Sequence, residues 1–141
     1  MAQEAEIFEQ VFQLIREFER QFRDQGDSDL STTQFQALAI LRSVQPVTAM
    51  VMAGMLRIAG PTATRAIDSL ERRGFVAKER DPQDRRIVWL TLTREGAKVL
   101  DATRLRQEEW IRKLLQSLTP EEAEVLSNLL EKLGVQASLL P

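Results

Sequence analysis

Between Gly60 and Arg86 the chain concentrates side chains able to bind an anion or read the edge of a base. On a wheel turning 100° per residue, residues 61–73 separate into two faces. Ala63, Ala66, Ile67 and Leu70 make a narrow apolar stripe; Pro61, Arg65, Asp68, Ser69 and Arg72 lie opposite it, with Thr62 beside them. Arginine can grip guanine with two parallel hydrogen bonds, and a threonine hydroxyl can donate, accept or bring its methyl against thymine. Asp68 stands three residues after Arg65 and four before Arg72, a spacing that lets it orient both. An ordinary solvated helix with ion pairs would show the same face, so the helix alone decides little.

The next segment adds a second basic group. Lys78 and Arg80 are two apart and project from one face of a strand. The polar run Asp81-Pro82-Gln83-Asp84-Arg85-Arg86 then presents two adjacent arginines. A mobile tip of this kind suits a narrow A·T minor groove, where the negative potential is enhanced. Asp84 would sit too close to phosphates to touch them, and bracing an arginine is its better role. A turn made polar for solubility explains the Asp-Pro step but not four basic residues on one short hairpin.

Composition bounds the chemistry. The 141 residues contain no cysteine and no histidine. Cysteine–histidine zinc sites, thiol redox sensing, disulfides and nucleophilic catalysis built on either residue are excluded. No spacing of acids singles out a carboxylate site, so neither an enzyme nor a cofactor is expected. The net charge of −2 argues against nucleic acid, but its distribution does not. Residues 1–46 carry 4 bases and 8 acids, residues 47–86 carry 8 bases and 5 acids, and residues 87–141 carry 7 bases and 8 acids. A basic middle between acidic flanks sets a local positive potential. The chain has no long apolar run of membrane-spanning length and an acidic start without a signal-peptide pattern, so a soluble cytoplasmic protein is expected.

These groups need positioning elements. Phe8, Val11, Ile15, Phe18 and Phe22 recur at helical steps and predict a helix over 3–24, followed by a loop at 25–29. Ser31 and Gln34 form a capping box for a second helix running to about Val44, before Pro46. A third, unusually apolar helix is expected from Thr48 to Ile58. Gly60-Pro61 opens a fourth that ends at Arg73 before Gly74. Residues 75–80 and 87–92 read as two strands of a hairpin. Thr93 caps a long helix to about Leu118, and Thr119-Pro120-Glu121-Glu122 starts the last, expected to stop at Gly134. Four helices, a hairpin and two helices make a mainly α fold with a small β-hairpin. The arrangement is a winged helix-turn-helix module at 30–93 within one domain at 1–141. Helices at 1–29 and 94–141 flank the module, and their apolar stripes suit dimerisation.

Two runs carry a family resemblance. Asp81-Pro82-Gln83-Asp84-Arg85-Arg86 with Leu90-Thr91-Leu92-Thr93-Arg94-Glu95-Gly96, and Pro61-Thr62-Ala63-Thr64-Arg65 with Leu70-Glu71-Arg72-Arg73-Gly74-Phe75-Val76, resemble the wing and recognition helix of the multiple-antibiotic-resistance regulator (MarR) family. The resemblance extends over nearly the whole chain. It implies a homodimer, and two-fold symmetry then calls for a palindromic double-stranded operator with half-sites ~34–36 Å apart. The resemblance also implies a recognition helix in the major groove. With the helix face and hairpin described above, the candidate DNA contacts are Pro61, Thr62, Thr64, Arg65, Ser69, Arg72, Lys78, Arg80, Arg85 and Arg86. Arg86 would enter the minor groove, braced by Asp84. It further implies regulation, usually repression, relieved by a small aromatic acid or phenol. Arg16 and Thr32 are the candidate pocket residues. One departure stands out: the family's third helix is usually polar where this chain has Met50, Val51, Gly54 and Met55. That face, with the acidic total, motivates a competing reading as a winged-helix protein-interaction module that has lost DNA binding.

Overall fold

Local signals set most of the boundaries seen in the computed structural model, which describes residues 1–22 and 30–141. Helix α1 spans Ala2–Phe22 and has no buried residue. The last two residues expected in it and the loop at 25–29 lie outside the described residues. Helix α2 (Thr32–Ser43) starts on the expected capping box: Ser31 Oγ accepts from the Gln34 amide at 3.1 Å, and Gln34 Oε1 accepts from the Ser31 amide at 3.0 Å. Each bond satisfies an amide the first turn would leave open.

Strand β1 (Val47–Thr48) follows, then α3 (Ala49–Leu56) and α4 (Gly60–Arg72). Helix α3 is shorter than expected at both ends. Thr48 sits outside it as the cap, its hydroxyl accepting from the Val51 amide, and Arg57 closes it in the left-handed region at φ 55. An arginine there costs about 1–2 kcal/mol of steric strain that glycine would avoid.

Strands β2 (Val76–Arg80) and β3 (Val88–Leu92) pair antiparallel, Val76 opposite Leu92 and Arg80 opposite Val88. The sheet has a third strand that the hairpin pattern did not predict. Val47 pairs with Leu90 and Thr48 with Trp89, so the order is β1-β3-β2. Gly74 at φ 80 lets the chain leave α4 and enter β2.

Helix α5 (Arg94–Leu115) begins where Thr93 Oγ1 accepts from the Gly96 amide at 3.0 Å. It ends three residues before the expected Leu118. Gly96 is required by close approach: a Cβ there would lie 2.1 Å from the Phe75 carbonyl oxygen. Helix α6 (Pro120–Leu139) starts on the Thr119–Glu122 capping box and continues through Gly134. An exposed glycine inside a helix costs only about 1 kcal/mol, which the flanking turns outweigh.

The chain divides into two compact units, Met1–Thr103 and Arg104–Pro141, with the boundary inside α5. The first holds the core. Leu38 and Leu41 of α2, Met52 of α3, Ile67 and Leu70 of α4, Leu90 of β3 and Leu100 of α5 are all buried. Each contributes about 1.5–3 kcal/mol by leaving water. The Arg42–Asp101 ion pair joins α2 to α5. In the second unit α6 has no buried residue. No described helix is long and apolar enough to cross a membrane.

Candidate nucleic-acid interface

Helix α4 is pinned by the stripe expected to hold it. Ala63, Ile67 and Leu70 are buried and Ala66 is half-buried, which leaves Pro61, Thr62, Thr64, Arg65 and Arg72 exposed. Among the described residues, the side chains of Arg65 and Arg72 have no partner. The helix begins after Ala59, which makes no side-chain cap. Its first amides and its positive dipole end therefore stay open to an anion.

Two assignments on this helix and one on β2 are corrected by tertiary contacts. Ser69, placed on the outward face by the wheel, is half-buried and accepts a hydrogen bond from Gln34 Nε2 at 3.1 Å. It lies at the flank of the wheel, and α2 packs on that flank. Asp68 does not orient Arg65 and Arg72; it pairs with Lys78 of β2, which also reaches Glu71 at 3.6 Å. Lys78, though exposed, therefore has its charge engaged in tying the wing to α4. The three side chains line a cavity of about 400 Å³ between α4 and the sheet, with Arg80 and Thr64 on its wall. Arg16 and Thr32 are exposed, and neither lines this cavity.

The wing tip is a hydrogen-bonded structure, where a mobile tip was expected. Asp81 Oδ1 accepts from the amides of Gln83 at 2.8 Å and Asp84 at 3.0 Å. Asp81 Oδ2 accepts from the Trp89 indole Nε1 at 3.0 Å. The Trp89 hydrogen bond, then the two amides, hold the Asp81 carboxyl below its ordinary value of 3.8. Arg80 Nη1 donates to the Arg85 carbonyl at 2.8 Å. In the sequence Asp81 marks only the start of the polar run, and Trp89 does not stand out. The Asp-Pro start marks a turn, but the indole partner eight residues on depends on the hairpin register.

Asp84 braces Arg86 as expected from its position. Its Oδ1 accepts from Arg86 Nε and its Oδ2 from Arg86 Nη2, both at 3.0 Å, and Oδ1 also takes the Arg86 amide at 3.1 Å. This two-pronged contact lowers the Asp84 carboxyl and raises the Arg86 guanidinium. Arg86 nevertheless keeps 91% of its side chain exposed. A guanidinium has five N–H donors, so those not held by Asp84 stay available for a ligand oxygen. Arg85 is exposed, and its side chain is unpartnered among the described residues.

The arrangement is that of a winged helix-turn-helix protein whose helix and wing offer cations at the outer surface of one module. A model of the MarR family matches residues 30–88. The HTH-type transcriptional regulator YkoM of Bacillus subtilis is 31% identical over 95% of this chain and 86% of its own length. Two solved structures align with TM-scores of 0.75 and 0.71. One is Streptococcus pneumoniae FabT in complex with DNA, at 23% identity over 96% of both chains. The other is Bordetella bronchiseptica BpsR, whose DNA binding is regulated by 6-hydroxynicotinic acid, at 26% identity over 94% of this chain and 98% of that one. The chain belongs to the MarR family and is a DNA-binding transcriptional regulator.

Proposed function

We infer that the chain is a homodimeric, ligand-responsive repressor of a palindromic operator. Each protomer would place α4 in a major groove and the wing in the adjacent minor groove. The observation that carries this reading is the contrast within one module: unpartnered Arg65 and Arg72 on α4 beside an Arg86 fixed by Asp84. The module at 30–93 supplies the DNA surface, and the segments 1–29 and 94–141 supply dimerisation. Support for the dimer comes from apolar side chains left uncovered in a single chain. Ile7, Phe8 and Val11 of α1 are exposed, as are Leu129, Leu130 and Leu133 of α6. Exposed apolar helix faces of this kind are characteristic of protein–protein association sites. An aromatic acid or phenol is the proposed effector class, supported by the likeness to BpsR.

Sedimentation combined with a mobility-shift titration on a duplex from the region upstream of the chain's own gene tests this reading. It predicts a dimer free in solution, one dimer per palindrome, and release by an aromatic acid. A monomer that binds a single half-site would overturn it.

A further inference from the structure

The turn between α3 and α4 carries a cation that neither the wheel nor the hairpin pattern singled out. The Arg57 amide donates to the Gly54 carbonyl and the Ile58 amide to the Ala53 carbonyl, both at 3.2 Å. This double closure places Arg57 in the left-handed position that glycine fills at no steric cost. It is the only non-glycine residue with positive φ among the described residues. The closure fixes the backbone, but nothing within the protein favours arginine over glycine there: Arg57 is exposed, and its side chain has no partner among the described residues. A strained backbone that holds out an unengaged charge points to a contact outside the chain.

Its surroundings indicate which contact. From Val47 to Gly60 the chain has no other charged residue. The outward side of α3 is Met50, Val51 and Met55, all exposed, and it offers no charge to a phosphate. Arg57 stands three residues before Gly60, where the uncapped α4 begins.

We propose that Arg57 grips a backbone phosphate beside the major groove that α4 enters, taking over the anchoring that α3 lacks. Its guanidinium suits two parallel hydrogen bonds to phosphodiester oxygens. The contact carries no sequence information and fixes the position of α4 on the duplex. This proposal rests on the reading of the module as a DNA surface.

Fluorescence polarisation with a labelled duplex of random sequence, titrated across salt, tests it in the full-length protein. Arg57→Gly removes charge and strain together, Arg57→Gln removes the charge alone, and Arg57→Lys keeps the charge. Arg57→Gly is expected to raise Tm by roughly 2–6 °C while weakening DNA binding. In Arg57→Gly and Arg57→Gln the slope of log K against log salt should fall by about 0.9 per reading head, and Arg57→Lys should keep the wild-type slope. A fourfold rise in salt would then shrink the wild-type advantage by about three- to fourfold per reading head. Wild-type slope and affinity in both Arg57→Gly and Arg57→Gln would overturn the Arg57 contact alone. A wild-type protein with no salt-dependent binding to any duplex would overturn the DNA reading as well.

Discussion

Helix α4 and the wing both offer arginines, but they hold them in opposite ways. Arg65 and Arg72 extend from α4 without partners among the described residues. In the wing, Arg86 is clamped by Asp84, Arg80 donates to the Arg85 carbonyl, and Asp81 gathers two amides and an indole. A clamped arginine has lost its rotamer freedom before DNA arrives, which lowers the cost of ordering it on binding, about 0.5–1.5 kcal/mol per side chain. That suits recognition of groove width and potential. An unclamped arginine incurs that cost on binding but can settle on a base edge, which suits sequence reading. Lys78, held by Asp68 and Glu71, ties the two regions together.

The largest expected effect is at the wing. Arg86→Ala would remove the proposed groove contact and leave Asp84 without the arginine it braces. Operator binding should weaken by about 1.5–3 kcal/mol per wing, the worth of a hydrogen bond from a charged donor. Thermal stability should hold within about 0.5 kcal/mol, because the ion pair is exposed. Polarisation and calorimetry on the variant check both; unchanged affinity would erase the contrast between the two regions. Arg65→Ala comes next, at about 1–3 kcal/mol per reading head, with relaxed preference at one base pair. If the loss is equal on specific and random DNA, Arg65 contacts only phosphate.

The smallest effect is on pH. Asp81 and Asp84 have lowered carboxyl values, so the bracing they provide is fully present above the ordinary value of 3.8. It is lost only as pH falls through their depressed folded values. The contribution of Arg86 to binding should therefore be flat from neutral pH down to about 4. The ratio of wild-type to Arg86→Ala affinity, followed across that range, measures this; a decline near pH 6 would show that the brace is not these carboxylates.

Much of the fold was legible because its signals are local. The Ser31–Gln34 and Thr119–Glu122 boxes, the Pro61 start and the two strands follow from spacing alone. Strand β1 was not legible: two residues, Val47 and Thr48, have no period, and β3 recruits them from a distance. Gly134 misled because a stop signal is only a modest penalty when helix continues on both sides. In the site, the Asp84–Arg86 brace spans two residues and could be anticipated. Ser69 with Gln34, Lys78 with Asp68, and Trp89 with Asp81 could not, since each choice of partner depends on how separate elements pack or pair.

The division of labour between helix and wing has one direct test. In an operator selected from random duplexes, A·T pairs can be replaced by inosine·cytosine, which keeps the minor-groove acceptors but changes the major-groove pattern. Under the wing this replacement should leave the affinity of the wild-type protein unchanged; under α4 it should cost about 1–3 kcal/mol per contacted pair. Loss of affinity under the wing with tolerance under α4 would contradict the assignment of the two regions to their grooves.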